Sequence, residues 1–90
     1  MTEIEQHLLE EKQIWEEAHK GVEVKFNRHH LDYNLIVRMV YTDRTFVPWC
    51  NTECIKKEML ISKGFVLNLT AILDRMYQQI MEYVPEDQKH

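Results

Sequence analysis

Both cysteines of the chain lie in the stretch PWCNTEC, with three residues between Cys50 and Cys54. Structural zinc takes four ligands, and a cysteine pair of this spacing supplies two of them. The only adjacent histidines are His29 and His30, and neighbouring side chains on an extended chain point in different directions. The sequence therefore argues against a metal site, and no metal or cofactor is expected.

The same stretch differs from the Cys-x-x-Cys pair of thioredoxin-like enzymes, and no βαβ pattern surrounds it. Asn51 and Thr52 are good helix N-caps, which would place Cys54 in the first turn of a helix over residues 53–63. We therefore interpret PWCNTEC as the boundary between a strand and a helix, with its cysteines buried as small apolar side chains. The letters MLIS in residues 59–62 fit a strand equally well.

His7 and Glu11 are four residues apart, so on a helix they share one side. Glu11 falls in the middle of an apolar stripe, where a carboxylate is costly unless it is paired. Either the two side chains form a pair that lines a pocket or holds a metal, or the helix is only partly covered and Glu11 lies in water. Both interpretations stay open.

The middle of the chain mixes cationic and aromatic residues. Residues 21–64 contain seven Lys and Arg against five acidic residues, whereas residues 1–20 contain six acidic residues against two Lys. Arginine among aromatic residues is typical of protein-binding surfaces and of platforms for single-stranded nucleic acid. It also fits a solvated outer sheet face. The acidic flanks favour a protein partner, and the candidate residues are Arg38, Arg44, Tyr33, Phe46, Trp49, His29 and His30.

Catalysis has little support in the sequence. Gly21 and Gly64 are the only glycines, so there is no glycine-rich phosphate loop, and no nucleophile motif is present. The expected function is therefore a small protein–protein interaction module, an inhibitor or adaptor acting on another protein rather than an enzyme. The alternatives are a nucleic-acid-binding regulator that uses the basic middle segment, and a small metal- or thiol-dependent enzyme.

Helices are predicted at both ends of the chain. Thr2 and Glu5 form a capping box, and Gly21 follows the first helix as an αL residue. The apolar side of that helix consists of Ile4, Leu8, Ile14, Trp15 and Ala18. A second apolar face runs from Phe65 to Val84, with Tyr83 on it and Leu67 and Met81 as exceptions on the polar side, and Pro85 ends that helix.

Between the helices the apolar period changes to two, which indicates strands. The pattern predicts strands over residues 22–27 and 33–41, a turn at TDRT in which Asp43 bonds its own backbone, and a return strand in TFVPW. Pro48 keeps that strand short or at a sheet edge.

The predicted fold is α+β: a three-stranded antiparallel meander with an N-terminal helix and one or two C-terminal helices on one face, in the order α-β-β-β-α-α. The order is similar to that of double-stranded RNA-binding domains, but their basic start to the last helix is missing, so the likeness is one of topology alone.

The 90 residues predict one domain over residues 1–84 and a frayed tail over 85–90. The formal charge of −4 makes nucleic acid an unlikely partner, and no apolar run approaches the roughly 20 residues that span a bilayer. Two cysteines without an export signal suggest a cytoplasmic protein. The long apolar face of the last helix suggests a homodimer through that helix.

Overall fold

The structure, a computed structural model, describes residues 3–28, 35–56 and 65–90. Its elements are helix α1 (Glu3–Ala18), strands β1 (Val22–Arg28), β2 (Leu35–Thr42) and β3 (Pro48–Ile55), helix α2 (Phe65–Tyr83) and a 3-10 helix, Glu86–Gln88. The strands form one antiparallel sheet in the order β1-β2-β3. The predicted α+β class and the meander are therefore confirmed.

One face of the sheet is covered by the helices, and we call it the covered face. Val24, Met39 and Asn51 lie side by side on it, one from each strand. The sheet contributes Val24, Leu35, Val37, Met39, Tyr41 and Ile55 to the core, and the C-terminal part contributes Leu69, Ile72, Leu73, Met76, Ile80 and Val84. Because side chains alternate along a strand, the residues between these form the opposite, outer face.

Helix α1 contributes a narrower contact than its sequence predicts. Leu8 and Trp15 are buried, but Ile14 is 62% exposed and Ala18 is also exposed, so their predicted place in the core is wrong. Leu8 and Trp15 are seven residues apart, two helical turns, and therefore lie on one line along the helix. A helix that touches its neighbours along a single line leaves a residue such as Ile14 in solvent.

The predicted apolar and polar sides of α2 are largely confirmed, since Asp74, Arg75, Gln78 and Glu82 are exposed opposite the core. Tyr83 differs, because its side chain is 75% exposed while the next residue, Val84, is buried. Met81 packs partly against the core although the pattern places it on the polar side. Among the described residues no helix is both long and apolar enough to cross a membrane.

The connection between α1 and β1 requires a glycine. Gly21 has φ +84°, in the left-handed region where a Cβ is disfavoured, as the sequence predicts. A Cβ at this position would lie 2.7 Å from the carbonyl oxygen of Thr42. The close approach lets the Gly21 carbonyl accept the N–H of Thr42 at 2.9 Å, which joins the end of β2 to the start of β1.

The interpretation of PWCNTEC as a strand–helix boundary is wrong. All seven residues belong to β3, so Asn51 and Thr52 cap no helix, and Cys50 and Cys54 are exposed rather than buried. The predicted helix over residues 53–63 begins within the strand, which continues to Ile55; residues 57–63 of that prediction lie outside the described residues. The physical reason is that α2 provides partners for the polar side chains on the covered face of β3. Asn51 donates to the Met76 carbonyl, and Glu53 pairs with Arg75.

Candidate functional site

Strands β2 and β3 are joined by residues 43–47, which we call the β2–β3 loop. The loop is longer than the predicted TDRT turn, because Thr45, Phe46 and Val47 belong to it and not to the return strand. The Asp43 N–H donates to the Val47 carbonyl, and the Phe46 N–H donates back to the Asp43 carbonyl, both at 3.0 Å. These two bonds close the turn.

The Asp43 carboxylate organises the interior of the loop and is only 1% exposed. Its Oδ1 accepts the Thr45 N–H at 2.8 Å, the Thr45 hydroxyl at 2.6 Å and the Val47 N–H at 3.0 Å. Its Oδ2 accepts the indole N–H of Trp49 at 3.0 Å. The prediction that Asp43 bonds its own backbone is thus confirmed, and the sequence did not reveal how many donors converge on this group.

These donors stabilise the charged form of the carboxylate. Burial by itself would raise the pKa of Asp43, but the hydrogen bonds from Thr45, Trp49 and Val47 outweigh burial and lower the pKa from its usual 3.8 to about 2. The loop therefore contains an ionised carboxylate at neutral pH, and four hydrogen bonds converge on that charge.

Phe46 stands at the tip of this loop in an unusual conformation. Its φ is +67°, in the left-handed region that a bulky residue occupies at a cost of roughly 1–2 kcal/mol. Its side chain is nevertheless 86% exposed, so burial of the ring within this chain does not offset that cost. Val47 beside it is also exposed. The loop thus presents an apolar patch on a backbone that is fixed from within.

The C-terminal residues support the loop from the side. The Arg44 N–H donates to the Gln88 carbonyl at 3.0 Å, and the His90 N–H donates to the Tyr41 hydroxyl at 2.9 Å. A ring nitrogen of His90 lies 2.7 Å from the Thr42 carbonyl oxygen. The segment predicted as a frayed tail over residues 85–90 is therefore bound to the end of the hairpin, because its backbone and side chains have partners there.

The predicted partner-binding residues are distributed over three places. Arg44 and Phe46 lie exposed in the β2–β3 loop. Arg38 is on the outer face, five residues before Asp43 and so about 17 Å away along the strand. Trp49 is half-buried on the covered face, with its N–H bound to Asp43. Tyr33, His29 and His30 lie outside the described residues.

The other candidates form no clear chemical site in the structure. Among residues 3–28, 35–56 and 65–90, no three His, Cys, Asp or Glu side chains are grouped as metal ligands would be. His7 lies 3.9 Å from Glu10, while Glu11 is half-buried on the side of α1 that faces the core. The side chains of His7 and Glu10 are both well exposed, so this contact adds little stability.

Comparisons with other proteins add no assignment. No protein-family model matches the sequence, and neither curated proteins nor solved structures give a significant match.

Proposed function

We propose that this protein is a small interaction module that binds another protein through the β2–β3 loop, with Phe46 as the anchor. The observation that carries the proposal is an exposed aromatic ring on a strained backbone that four hydrogen bonds to one buried carboxylate hold in place. Strain of this kind persists only where the surroundings enforce it, and it is concentrated at functional positions.

The energetic logic is that of a pre-organised ligand. Ordering a flexible loop on binding costs roughly 0.5–1.5 kcal/mol for each immobilised side chain, and a loop that is already fixed avoids much of this cost. Aromatic and arginine side chains provide most of the energy at protein interfaces, and the loop presents Phe46 next to Arg44. The partner that fits is a protein with an apolar pocket the size of a phenyl ring and an acidic group at its rim.

A photo-crosslinking experiment tests the proposal. A benzophenone amino acid in place of Phe46 keeps an aromatic ring at the tip and forms a covalent bond with whatever lies against it in the source cell. The control has the same group at Ile14, an exposed apolar residue on α1. We expect a discrete adduct from position 46 and none from position 14.

The identified partner is then titrated against purified variants. Phe46→Gly removes the ring and suits the left-handed backbone, so we expect binding to weaken by about 2 kcal/mol or more without loss of fold. Ile14→Ala should bind as the native protein does. Equal binding of the native chain and Phe46→Gly would show that the loop tip is not the anchor.

A further inference from the structure

The two edges of the sheet have different surroundings. At the β1 edge, the N–H of Val24 donates to the Glu16 carboxylate of α1 at 3.3 Å, and Lys25 supplies an exposed charge of the kind that discourages pairing. At the β3 edge, no strand of the described chain lies alongside. The single charged residue within β3, Glu53, is paired with Arg75 on the covered face.

The hydrogen-bond pattern shows which residues of β3 face outward. The Thr42 N–H donates towards β1, to Gly21, and the Asp43 N–H donates towards β3, to Val47. Successive residues of a strand direct their backbone groups to opposite edges. Every second residue from Val47 onward therefore bonds β2, and the outward-facing residues of β3 are Pro48, Cys50, Thr52 and Cys54.

We infer that β3 pairs edge to edge with β3 of a second copy of this chain, antiparallel about a two-fold axis at Thr52. An axis perpendicular to the sheet keeps the two covered faces on the same side, so only residues on the same face can lie opposite one another. For a strand spanning Pro48–Ile55, the two registers with the greatest overlap place the axis at Asn51 or at Thr52.

The register about Thr52 is chemically self-complementary. It sets Thr52 against its own copy and Cys50 against Cys54 of the partner subunit on the outer face. On the covered face, the Asn51 amide lies opposite the partner subunit's Glu53 carboxylate, and Trp49 lies opposite the partner subunit's Ile55. Cross-strand threonine pairs and pairs of matched polarity stabilise an antiparallel pairing.

The register about Asn51 is less favourable. It would bring Pro48 into the ladder, where the missing N–H leaves a carbonyl without its donor. It would also set the apolar Trp49 against the partner subunit's Glu53. Pairing about Thr52 instead leaves Pro48 beyond the ladder and forms about six backbone hydrogen bonds.

A groove of about 450 Å³ runs between β3 and the end of α2, lined by Trp49, Cys50, Asn51, Gln79, Glu82 and Tyr83. The exposed side chain of Tyr83 in α2 lies on this side of the molecule. In the register about Thr52, the groove residues Trp49, Cys50 and Asn51 lie opposite Ile55, Cys54 and Glu53 of the partner subunit.

Cross-linking of cysteine variants tests the register. Diamide, a diazene oxidant, takes two electrons and two protons from two thiols, and a disulfide bond forms between the sulfurs as the diazene becomes a hydrazine. Cys50 and the partner subunit's Cys54 would form a hydrogen-bonded pair of the ladder, about 5.5 Å apart at Cα, within the range that a disulfide spans. Within one chain, Cys50 and Cys54 are about 13 Å apart along the strand and cannot form this bond.

After treatment with diamide, we expect the native chain to form a disulfide-linked dimer, and Cys50→Ser and Cys54→Ser each to lose it, because each remaining thiol then faces a serine. An equimolar mixture of the two variants should regain the dimer, since Cys54 of one chain meets Cys50 of the other. Either variant alone cross-linking as readily as the mixture would overturn the inference. Both cysteines are exposed, so neither change should unfold the protein, and circular dichroism checks this.

A charge at the axis tests pairing without cysteine chemistry. Thr52→Lys sets two ammonium groups face to face, and we expect sedimentation equilibrium to show loss of the dimer. Asn27→Lys adds the same charge to the exposed outer face at β1 and should leave the dimer intact. A native chain that remains monomeric at high protein concentration, or a Thr52→Lys variant that still dimerises, would contradict the proposed edge. Neither experiment involves Phe46, so its outcome is separate from that of the binding proposal.

Discussion

Two tryptophans of this protein donate their indole N–H to an aspartate, in two regions with different roles. Trp49 donates to Asp43 inside the β2–β3 loop, and Trp15 of α1 donates at 2.9 Å to Asp74 of α2. The carboxylate of the first pair is buried, whereas in the second pair the indole is buried and the carboxylate is exposed. Burial therefore decides which member of each pair contributes more to stability, the aromatic ring or the charged group.

In the helix pair, the Trp15 ring provides most of the stabilisation. It stacks on the imidazole of His19 with centroids 3.8 Å apart and meets Tyr77 edge-on at 5.8 Å. In the loop pair, the Asp43 carboxylate gathers four donors and the Trp49 ring is only half-buried. In the helix pair, mutation of the tryptophan should therefore cost more stability than mutation of the aspartate. In the loop pair, mutation of the aspartate should cost more.

The largest expected effect is at Trp15. Trp15→Ala removes a buried ring from the contact between the helices and should lower the free energy of unfolding by about 3–5 kcal/mol. Trp49→Ala should cost less, because that ring is half-buried. Urea denaturation of both variants measures the difference, and a larger loss for Trp49→Ala would reverse the comparison.

Asp43→Ala is expected to have the next largest effect. It leaves the N–H groups of Thr45 and Val47 and the indole of Trp49 without their acceptor, and the loss of an acceptor by partly buried donors is costly. We expect the melting temperature to fall by roughly 10 °C or more, with the Thr45 and Val47 amide resonances moving most. Asp74→Ala, at an exposed carboxylate with one indole donor, is the control and should lower the melting temperature much less.

The pH dependence should differ between native protein and Asp43→Asn. The folded-state pKa of Asp43 is lowered to about 2, so its ionised form adds stability that is complete above the unfolded pKa near 3.8 and is lost as the pH falls through about 2. The native chain should thus be more stable than Asp43→Asn at neutral pH. This gap in the free energy of unfolding should close as the pH falls from 3.8 to about 2. Urea titrations at a series of acidic pH values measure it, and a gap that stays constant would mean that the charge of Asp43 is not what holds the loop.

The smallest effect on stability is expected for Phe46→Gly. The exchange relieves a left-handed phenylalanine, a gain of roughly 1 kcal/mol, while glycine adds freedom to the unfolded chain, a loss of similar size. Thermal unfolding should therefore shift by a few degrees at most. A marked destabilisation would show that the Phe46 ring packs on the chain and would weaken its assignment as an exposed anchor.

The elements that could be predicted are those whose apolar and polar faces are evident from their own sequence, without knowledge of a distant partner. β1 alternates between apolar and polar residues, every second residue of β2 from Leu35 to Tyr41 is buried, and Gly21 marks the turn before β1. The full length of β3 could not be predicted, because the polar residues Asn51 and Glu53 occupy its covered face and are typical of helix caps and helices. Their partners in the structure come from α2. Tertiary contacts of this kind cannot be deduced from local pattern.

The candidate site was only partly predictable for a similar reason. Arg44 and Phe46 stand out by residue type, and Asp43 is a common first residue of a turn. The sequence cannot show that Phe46 adopts a positive φ, since the bonds of Val47 and Trp49 to Asp43 impose that conformation. It also cannot show that the last residues dock beside the loop, because the contact between His90 and Tyr41 spans 49 positions.

The distances along the chain also suggest an order of events in folding. Trp49 lies six positions from Asp43, whereas Trp15 lies 59 positions from Asp74. Short loops close at a smaller entropic cost, so the hairpin is expected to assemble before the two helices meet. A contact made early in folding affects mainly the folding rate, and a contact made late affects mainly the unfolding rate. A mutation at Asp43 should then mainly slow refolding, whereas a mutation at Trp15 should mainly speed unfolding.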